Sequence, residues 1–220
     1  MSANTGQTEF TLYTYFRSSA AFRVRIALNL KGIKAENRFV HLLRHEQNAD
    51  GYRRLNAQAA VPTLVHGGRA LGQSLAIIEY LDEIAPTPLL LPAEPATRAR
   101  VRQMALAIAC EVHPLCNLRV REYLRDALNL PESEQGRWQK HWMGQGLQAV
   151  EAMAGEDRFS FGDTPTLADI CLVPQLFNAR RAELDVSAYP KLLRIEAAAY
   201  ELAAFRDARP ECQPDAQLGS

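Results

Sequence analysis

Short β-branched and aromatic runs alternate with helical runs up to about residue 85, and beyond it almost every segment carries helical spacing. A change of period in mid-chain predicts two differently built units in series. Glu9 to Tyr15 alternates as a strand does. Phe22, Ile26 and Leu30 stand four apart and predict a helix over Ser18 to Lys31, closed by Gly32 as a left-handed cap. Ala35 to His41 reads as a second strand, and Arg44 to Asn56 as a polar segment holding a short helix. Thr63 to His66 and Arg69 to Leu71 flank Gly67-Gly68, which predicts a hairpin. Ser74 is expected to cap a helix reaching Ile84, with Ile77, Ile78 and Leu81 on its buried side. The order β-α-β-α-β-β-α predicts a thioredoxin-like domain over residues 1–85, an inference about fold and not about function.

Pro86, Pro88, Pro92 and Pro95 stiffen a linker over 86–95, and an all-helical domain is expected over 96–220. Its helices are placed at Ala96 to Arg125 (kinked by Pro114), Glu132 to Ala154, one starting at Thr166, and Tyr189 to Phe205, before a Pro-rich polar tail. Thr166 and Asp169 have capping-box spacing. With 47% hydrophobic residues in 220, a packed core is within reach. Lys+Arg 25 against Asp+Glu 25 leaves no net charge, which argues against a dedicated nucleic-acid binder. Residues 1–85 hold 10 basic and 7 acidic side chains, a mild bias toward anionic ligands. No apolar run approaches the roughly 20 residues of a membrane span. The polar start Met1 to Glu9 does not read as a secretory signal. Cys110, Cys116, Cys171 and Cys212 form no C-x-x-C pair and read as free core thiols of a reducing cytosol. His41 and His45 lack a third partner, so no metal is expected, and no phosphate-binding glycine loop is present.

The chemistry concentrates at Tyr15-Phe16-Arg17-Ser18-Ser19-Ala20-Ala21-Phe22-Arg23. Redox proteins of this fold place C-x-x-C at the start of the first helix, where Ser18-Ser19-Ala20-Ala21 stands here, so disulfide exchange is excluded. Backbone N–H groups and the positive end of the helix dipole remain, and a hydroxyl there can donate to a thiolate carried by a ligand. A thiol of pKa about 8.5 is only about 3% ionised at pH 7, and lowering it by about two units takes about 2.7 kcal/mol. A helix terminus supplies about 0.3–2 kcal/mol and a hydrogen bond to a charged group about 1.5–3, so together they suffice. Ser18 and Ser19 are equally suited to plain helix capping, and both readings stand at this point. Val61-Pro62 precedes the third strand, where a cis proline would present Val61's backbone to an extended peptide. Gln73-Ser74 offers a second helix N-terminus suited to an α-carboxylate. Jointly these features describe a groove for a short anionic thiol peptide, namely glutathione.

The segments YFRSSAAFRVRIALNLKGI, VPTL, QSLAIIEYLDE, HPLCNLRV and FSFGDTPTLADICLVPQLFNARR closely resemble the zeta-class glutathione transferases, which isomerise maleylacetoacetate or maleylpyruvate. The resemblance spans Phe10 to Asp215 and implies the glutathione transferase fold, a thioredoxin-like domain followed by a helical bundle. It implies a glutathione site at Ser18, Ser19, Ala20, Ala21, Phe22, Arg23, Gln47, Val61, Pro62, Gln73 and Ser74, with His113, Asn117, Leu118 and Arg119 from the second domain. Ser18 would hold the thiolate, assisted by Ser19. Arg17, Arg119 and Arg181 would line a substrate cleft, Arg180 being Arg181's near substitute. Arg17 and Arg181 would join the two serines as catalytic residues. His113 suits ligand positioning, proton donation or a structural hydrogen bond equally. Ala20 stands where many members have Cys, which points away from an enzyme thiol, and Asn56-Ala57 replaces the usual Asn-Pro. Arg119 is similar to the maleylpyruvate-isomerising members.

The implied activity is cis–trans isomerisation of a maleyl keto acid in aromatic-compound or tyrosine breakdown. A double bond cannot rotate, so thiolate addition, rotation and elimination are expected, with glutathione returned as a coenzyme. The developing enolate and two substrate carboxylates require fixed cations, for which arginine is suited. A cytoplasmic homodimer acting on small dicarboxylates, without nucleic acid or membrane, is the corresponding expectation. Two alternatives remain: a transferase conjugating or dehalogenating small electrophiles such as α-haloacids, and a non-catalytic glutathione-binding module.

Overall fold

Four short strands and three helices make the core of the first unit in the computed structural model, which describes residues 10–219. The reading of Met1 to Glu9 as free of a secretory signal lies outside the described residues. β1 (Phe10–Thr14), β2 (Ala35–Phe39), β3 (Thr63–His66) and β4 (Arg69–Gly72) form one sheet in the order β2-β1-β3-β4. β1 and β2 are parallel, with α1 (Ser19–Lys31) as the crossover, and β3 runs antiparallel to both β1 and β4. Gly67 (φ 54) and Gly68 (φ 76) put two successive residues in the left-handed region, the hairpin turn their pairing predicts. Leu12 and Leu64, paired across β1 and β3, are fully buried with Phe22 and Ile26 of α1 and Ile77, Ile78 and Leu81 of α3 (Ser74–Ile84).

From Ala21 to Leu28 every residue of α1 is buried, Arg23 and Arg25 included. Gly32 (φ 63) ends the helix by donating to Asn29 and Leu28 carbonyls, as expected. Lys31 Nζ donates to the Asp82 carboxylate at 2.6 Å and to the Ala85 carbonyl at 2.6 Å, tying α1 to the end of α3. The second strand stops at Phe39, short of His41, although Val40 still donates to the Thr14 carbonyl. The polar stretch after it holds two 3-10 turns, Leu42–Arg44 and Glu46–Asn48, and then α2 (Asp50–Leu55).

The second unit begins at Leu89. Glu94 starts α4 (Pro95–Leu106) by accepting from the amides of Ala96 and Thr97. The expected continuous helix to Arg125 is not continuous. A π-helical turn, Ala107–Val112, leads into α5 (His113–Cys116), and α6 (Leu118–Asp126) follows. Pro114 cannot donate to the preceding turn, and His113 donates five residues back, to Ile108. Asn117 (ψ 168) leaves helical geometry, and its Oδ1 caps α6 by accepting from Val120 at 3.1 Å.

α7 (Glu132–Met153) approaches the π turn at Gly146, where an added Cβ would lie 2.1 Å from Val112 Cγ2. α8 (Leu167–Arg181) has the expected capping box, Asp169 accepting from the Thr166 amide at 2.7 Å. The helix expected over Tyr189 to Phe205 is two, α9 (Pro190–Tyr200) and α10 (Ala203–Arg206). No helix among the described residues is long and apolar enough to cross a membrane.

The domain expected to extend to residue 220 gives up its last stretch, since residues 203–219 group with the first unit. The reason lies in two polar side chains of α1, the exposed Asn29 and the buried Arg25. Asn29 donates to the Ala204 carbonyl at 3.0 Å and Arg25 Nε to the Ala208 carbonyl at 3.0 Å. The division falls between Pro88 and Leu89, inside the proline-rich stretch. The cysteines are free, but only Cys116 and Cys171 are buried, while Cys110 and Cys212 are exposed.

Candidate active site

Ser18 is the N-cap of α1, with extended φ −74 and ψ 115, and its Oγ accepts from the Ala21 amide at 3.2 Å. A hydroxyl accepts and donates independently, so capping leaves its proton for a ligand. The two readings open in the sequence are therefore compatible in one residue. Ser18 is half-buried, Ser19 is 8% exposed and Arg17 is exposed with its guanidinium 4.9 Å from the Phe16 ring. Ala20 is half-buried, whereas Ala21, Phe22 and Arg23 face the interior.

Arg23 works from inside: its Nη1 donates to Ser74 Oγ at 3.3 Å, linking the beginning of α3 to the first turns of α1. Ser74 is not the cap that its sequence position suggested. Gln73 caps α3 with φ 66, a left-handed conformation strained for a side-chain-bearing residue, and Ser74 is the first helical residue. Gln73 Nε2 is held by Gln58 Oε1 at 2.8 Å. The Val61–Pro62 peptide is cis, as expected. Val61 packs in a buried cluster with Tyr15, Phe16, Val40 and Tyr52. Gln47 lies in the second 3-10 turn, 9% exposed, and its Oε1 has no hydrogen-bond partner among the described residues.

This set fits glutathione. Two helix N-termini offer N–H groups to carboxylate or thiolate, and Ser18 and Ser74 stand at them. The buried Gln47 carbonyl is an acceptor that a peptide N–H satisfies. The chain places no cysteine of its own at this helix start, where residues 18–21 are Ser, Ser, Ala and Ala.

In the second unit, His113 is half-buried directly after the π turn, and Asn117 spends its Oδ1 on capping α6. Leu118 and Arg119 open that helix, with Arg119 exposed. Arg181 ends α8 and lines a cavity of about 560 Å³ with Arg121, Gln135, Gln139 and Lys140. Arg119 is not part of that lining, and Arg121 is. Arg121 belongs to no motif that singles it out in the sequence. Arg180 forms a two-pronged pair with the buried Glu196 at 2.6 and 2.5 Å, and that hydrogen bonding raises its pKa. Of the adjacent arginines, Arg181 is the one beside a cavity.

Comparison with known proteins places the chain in a family. Residues 12–89 match the family model for the glutathione S-transferase N-terminal domain and residues 138–213 that for the C-terminal domain. The chain is 48% identical over 211 residues to a probable maleylacetoacetate isomerase of Vibrio cholerae, covering 93% of this chain and 97% of the relative. It is 47% identical over 208 residues to the maleylpyruvate isomerase of a Ralstonia species, covering 93% and 98%. A solved maleylpyruvate isomerase, a bacterial zeta-class glutathione S-transferase in holo form, superposes with TM-score 0.91 at 46% identity, covering 93% and 99%. The maleylacetoacetate isomerase of Anaeromyxobacter dehalogenans, with glutathione bound in its active site, superposes at 0.85 with 43% identity, covering 96% and 100%.

Proposed function

The chain belongs to the zeta class of the glutathione S-transferase family, and from that premise we propose a glutathione-dependent cis–trans isomerase converting maleylacetoacetate or maleylpyruvate to the fumaryl isomer. The carrying observation is Ser18, a half-exposed hydroxyl at a helix N-terminus whose own accepting capacity is used by Ala21 while its proton stays available.

Bound glutathione supplies the sulfur nucleophile that turns the fixed double bond transiently into a rotatable single bond. The residues assigned to hold it are Ser18, Ser19, the backbone of Val61, and Gln47, Gln73 and Ser74. Ser18 donates to the sulfur anion, and the α1 terminus adds its dipole. Arg23 keeps Ser74 in place from the buried side. Arg17 in the first unit and Arg181 in the second are assigned to substrate carboxylates and to the negative charge that builds on the carbonyl oxygen. Arg119 and His113 are assigned to ligand orientation, and Asn117 with Leu118 to shaping the start of α6.

The same reading makes the enzyme a cytoplasmic homodimer. Free thiols at Cys116 and Cys171 suit a reducing compartment, and exposed Leu106 and Tyr123 on α4 and α6 supply apolar surface. Absorbance-monitored isomerisation of both keto acids, with and without glutathione, tests the function. Conversion that requires glutathione without consuming it is expected. Equal rates without it, or turnover of haloacids alone, would contradict the reading.

A further inference from the structure

The turn that delivers Ser18 is gripped from the far end of the chain. Tyr15 to Ser18 is a four-residue turn closed by the Ser18 amide donating to the Tyr15 carbonyl at 3.0 Å. Its second residue, Phe16, has both peptide groups held by side chains. The Phe16 amide donates to Asp215 Oδ2 at 2.8 Å, and the Phe16 carbonyl accepts from Arg25 Nη2 at 3.2 Å. Arg25 Nη1 also donates to Thr14 Oγ1 at 3.2 Å, and its Nε holds the Ala208 carbonyl at 3.0 Å. Ala216 packs on the Tyr15, Phe16 and Val61 cluster beneath the same turn.

Both side chains of this clamp are buried, Arg25 at 5% and Asp215 at 6% exposure. Burial lowers the Arg25 pKa to about 10, with Asp215 opposing that fall. A clamp this dry has few competing waters, so loss of Asp215 leaves the Phe16 N–H, and loss of Arg25 the Phe16 carbonyl, without that partner instead of solvated. Phe16 and Ser18 are two residues apart, and the turn hydrogen bond ties their peptides together. Reorientation of the Phe16 peptide therefore moves the Ser18 hydroxyl, whose worth to a thiolate depends on distance and angle.

We propose that Asp215, with Arg25, is a positioning residue for the glutathione thiolate, the C-terminal segment setting the turn that aims Ser18. The proposal rests on the assignment of Ser18 to that thiolate. It gives the tail, 199 residues away from Phe16 in sequence, a functional role beyond covering α1.

Titration of the bound glutathione thiol by its thiolate absorbance, alongside glutathione affinity and thermal unfolding, tests it in the full-length protein. Asp215→Ala should raise the bound thiol pKa by roughly one unit, a tenfold loss of thiolate where the thiol form predominates. Asp215→Asn keeps an acceptor for the Phe16 amide and should restore most of that shift. A lowered melting temperature with a wild-type thiol pKa in Asp215→Ala would overturn the proposal, as would Asp215→Asn shifting as far as Asp215→Ala. Should Asp215→Ala fail to fold, Arg25→Lys, which retains the charge but loses the fork to Phe16, carries the same expectation, and an unshifted pKa there overturns it. Absence of a thiolate band in the wild-type complex would instead overturn the Ser18 assignment itself, and this inference with it.

Discussion

At the scale of single residues, the two adjacent arginines at the end of α8 separate structure from function. Arg180 is committed to Glu196, a carboxylate 5% exposed, while Arg181 lines the cavity. Arg181→Ala is expected to lower kcat/KM for the keto acid by roughly ten- to a hundredfold, the worth of one hydrogen bond to a charged group, with little change in stability. Arg180→Ala should do the reverse, lowering the urea midpoint and sparing kcat/KM. Steady-state kinetics and equilibrium unfolding of the two variants distinguish them, and equal kinetic losses would contradict the assignment. This distinction was only half legible in the sequence. Arg-Arg at a helix end shows two cations, but which of them pairs with Glu196 depends on α9, a separate element whose register no local spacing reveals. Ser18's place at the start of the first helix was legible by contrast, because capping and thiolate binding both call for a hydroxyl at that position.

Elements were readable wherever a local rule governed them and were misread wherever a distant contact did. Gly67-Gly68, Gly32 and the Thr166–Asp169 box each act within a few residues, and each stands where expected. The spacing after Pro95 predicts one long helix kinked at Pro114, but the chain passes through a π turn and breaks at Asn117. That geometry needs Gly146 on α7, whose missing side chain lets Val112 approach. Gly146→Ala is therefore expected to destabilise the protein by about 1–3 kcal/mol through overpacking, despite alanine's better helix propensity. Val112→Ala should relieve part of that cost, so a double-mutant cycle by urea unfolding should give a coupling of about 1 kcal/mol. Strict additivity would show that the two do not meet. Similarly, Lys31 and Asp82 form a buried pair between α1 and α3, and Lys31→Ala is expected to cost about 3 kcal/mol by leaving the carboxylate without its ammonium.

For the molecule as a whole, the division into two units was visible as a change of period, whereas the return of residues 203–219 to the first unit was not. A Pro-rich polar tail looks free in a sequence, because its partners, Arg25 and Asn29 of α1, lie nearly two hundred residues earlier. The thiols report on folding at this scale. Cys110 and Cys212 are exposed, Cys116 and Cys171 are buried, and burial pushes the Cys116 thiol up to about 11. At pH 8 two thiols should react rapidly with an aromatic disulfide reagent and two only as the protein unfolds; rapid reaction of all four in the native protein would contradict the packing of the second unit. The claim on which the whole account depends is that this helix start ionises a borrowed thiol. The most direct measurement is the ultraviolet pH titration of glutathione bound to the wild-type enzyme and to Ser18→Ala. A thiol pKa near 6.5 in the wild type, returning toward about 8.5 without the Ser18 hydroxyl, is the predicted result. An unperturbed pKa in the wild type, or a lowered one that survives in Ser18→Ala, would contradict it.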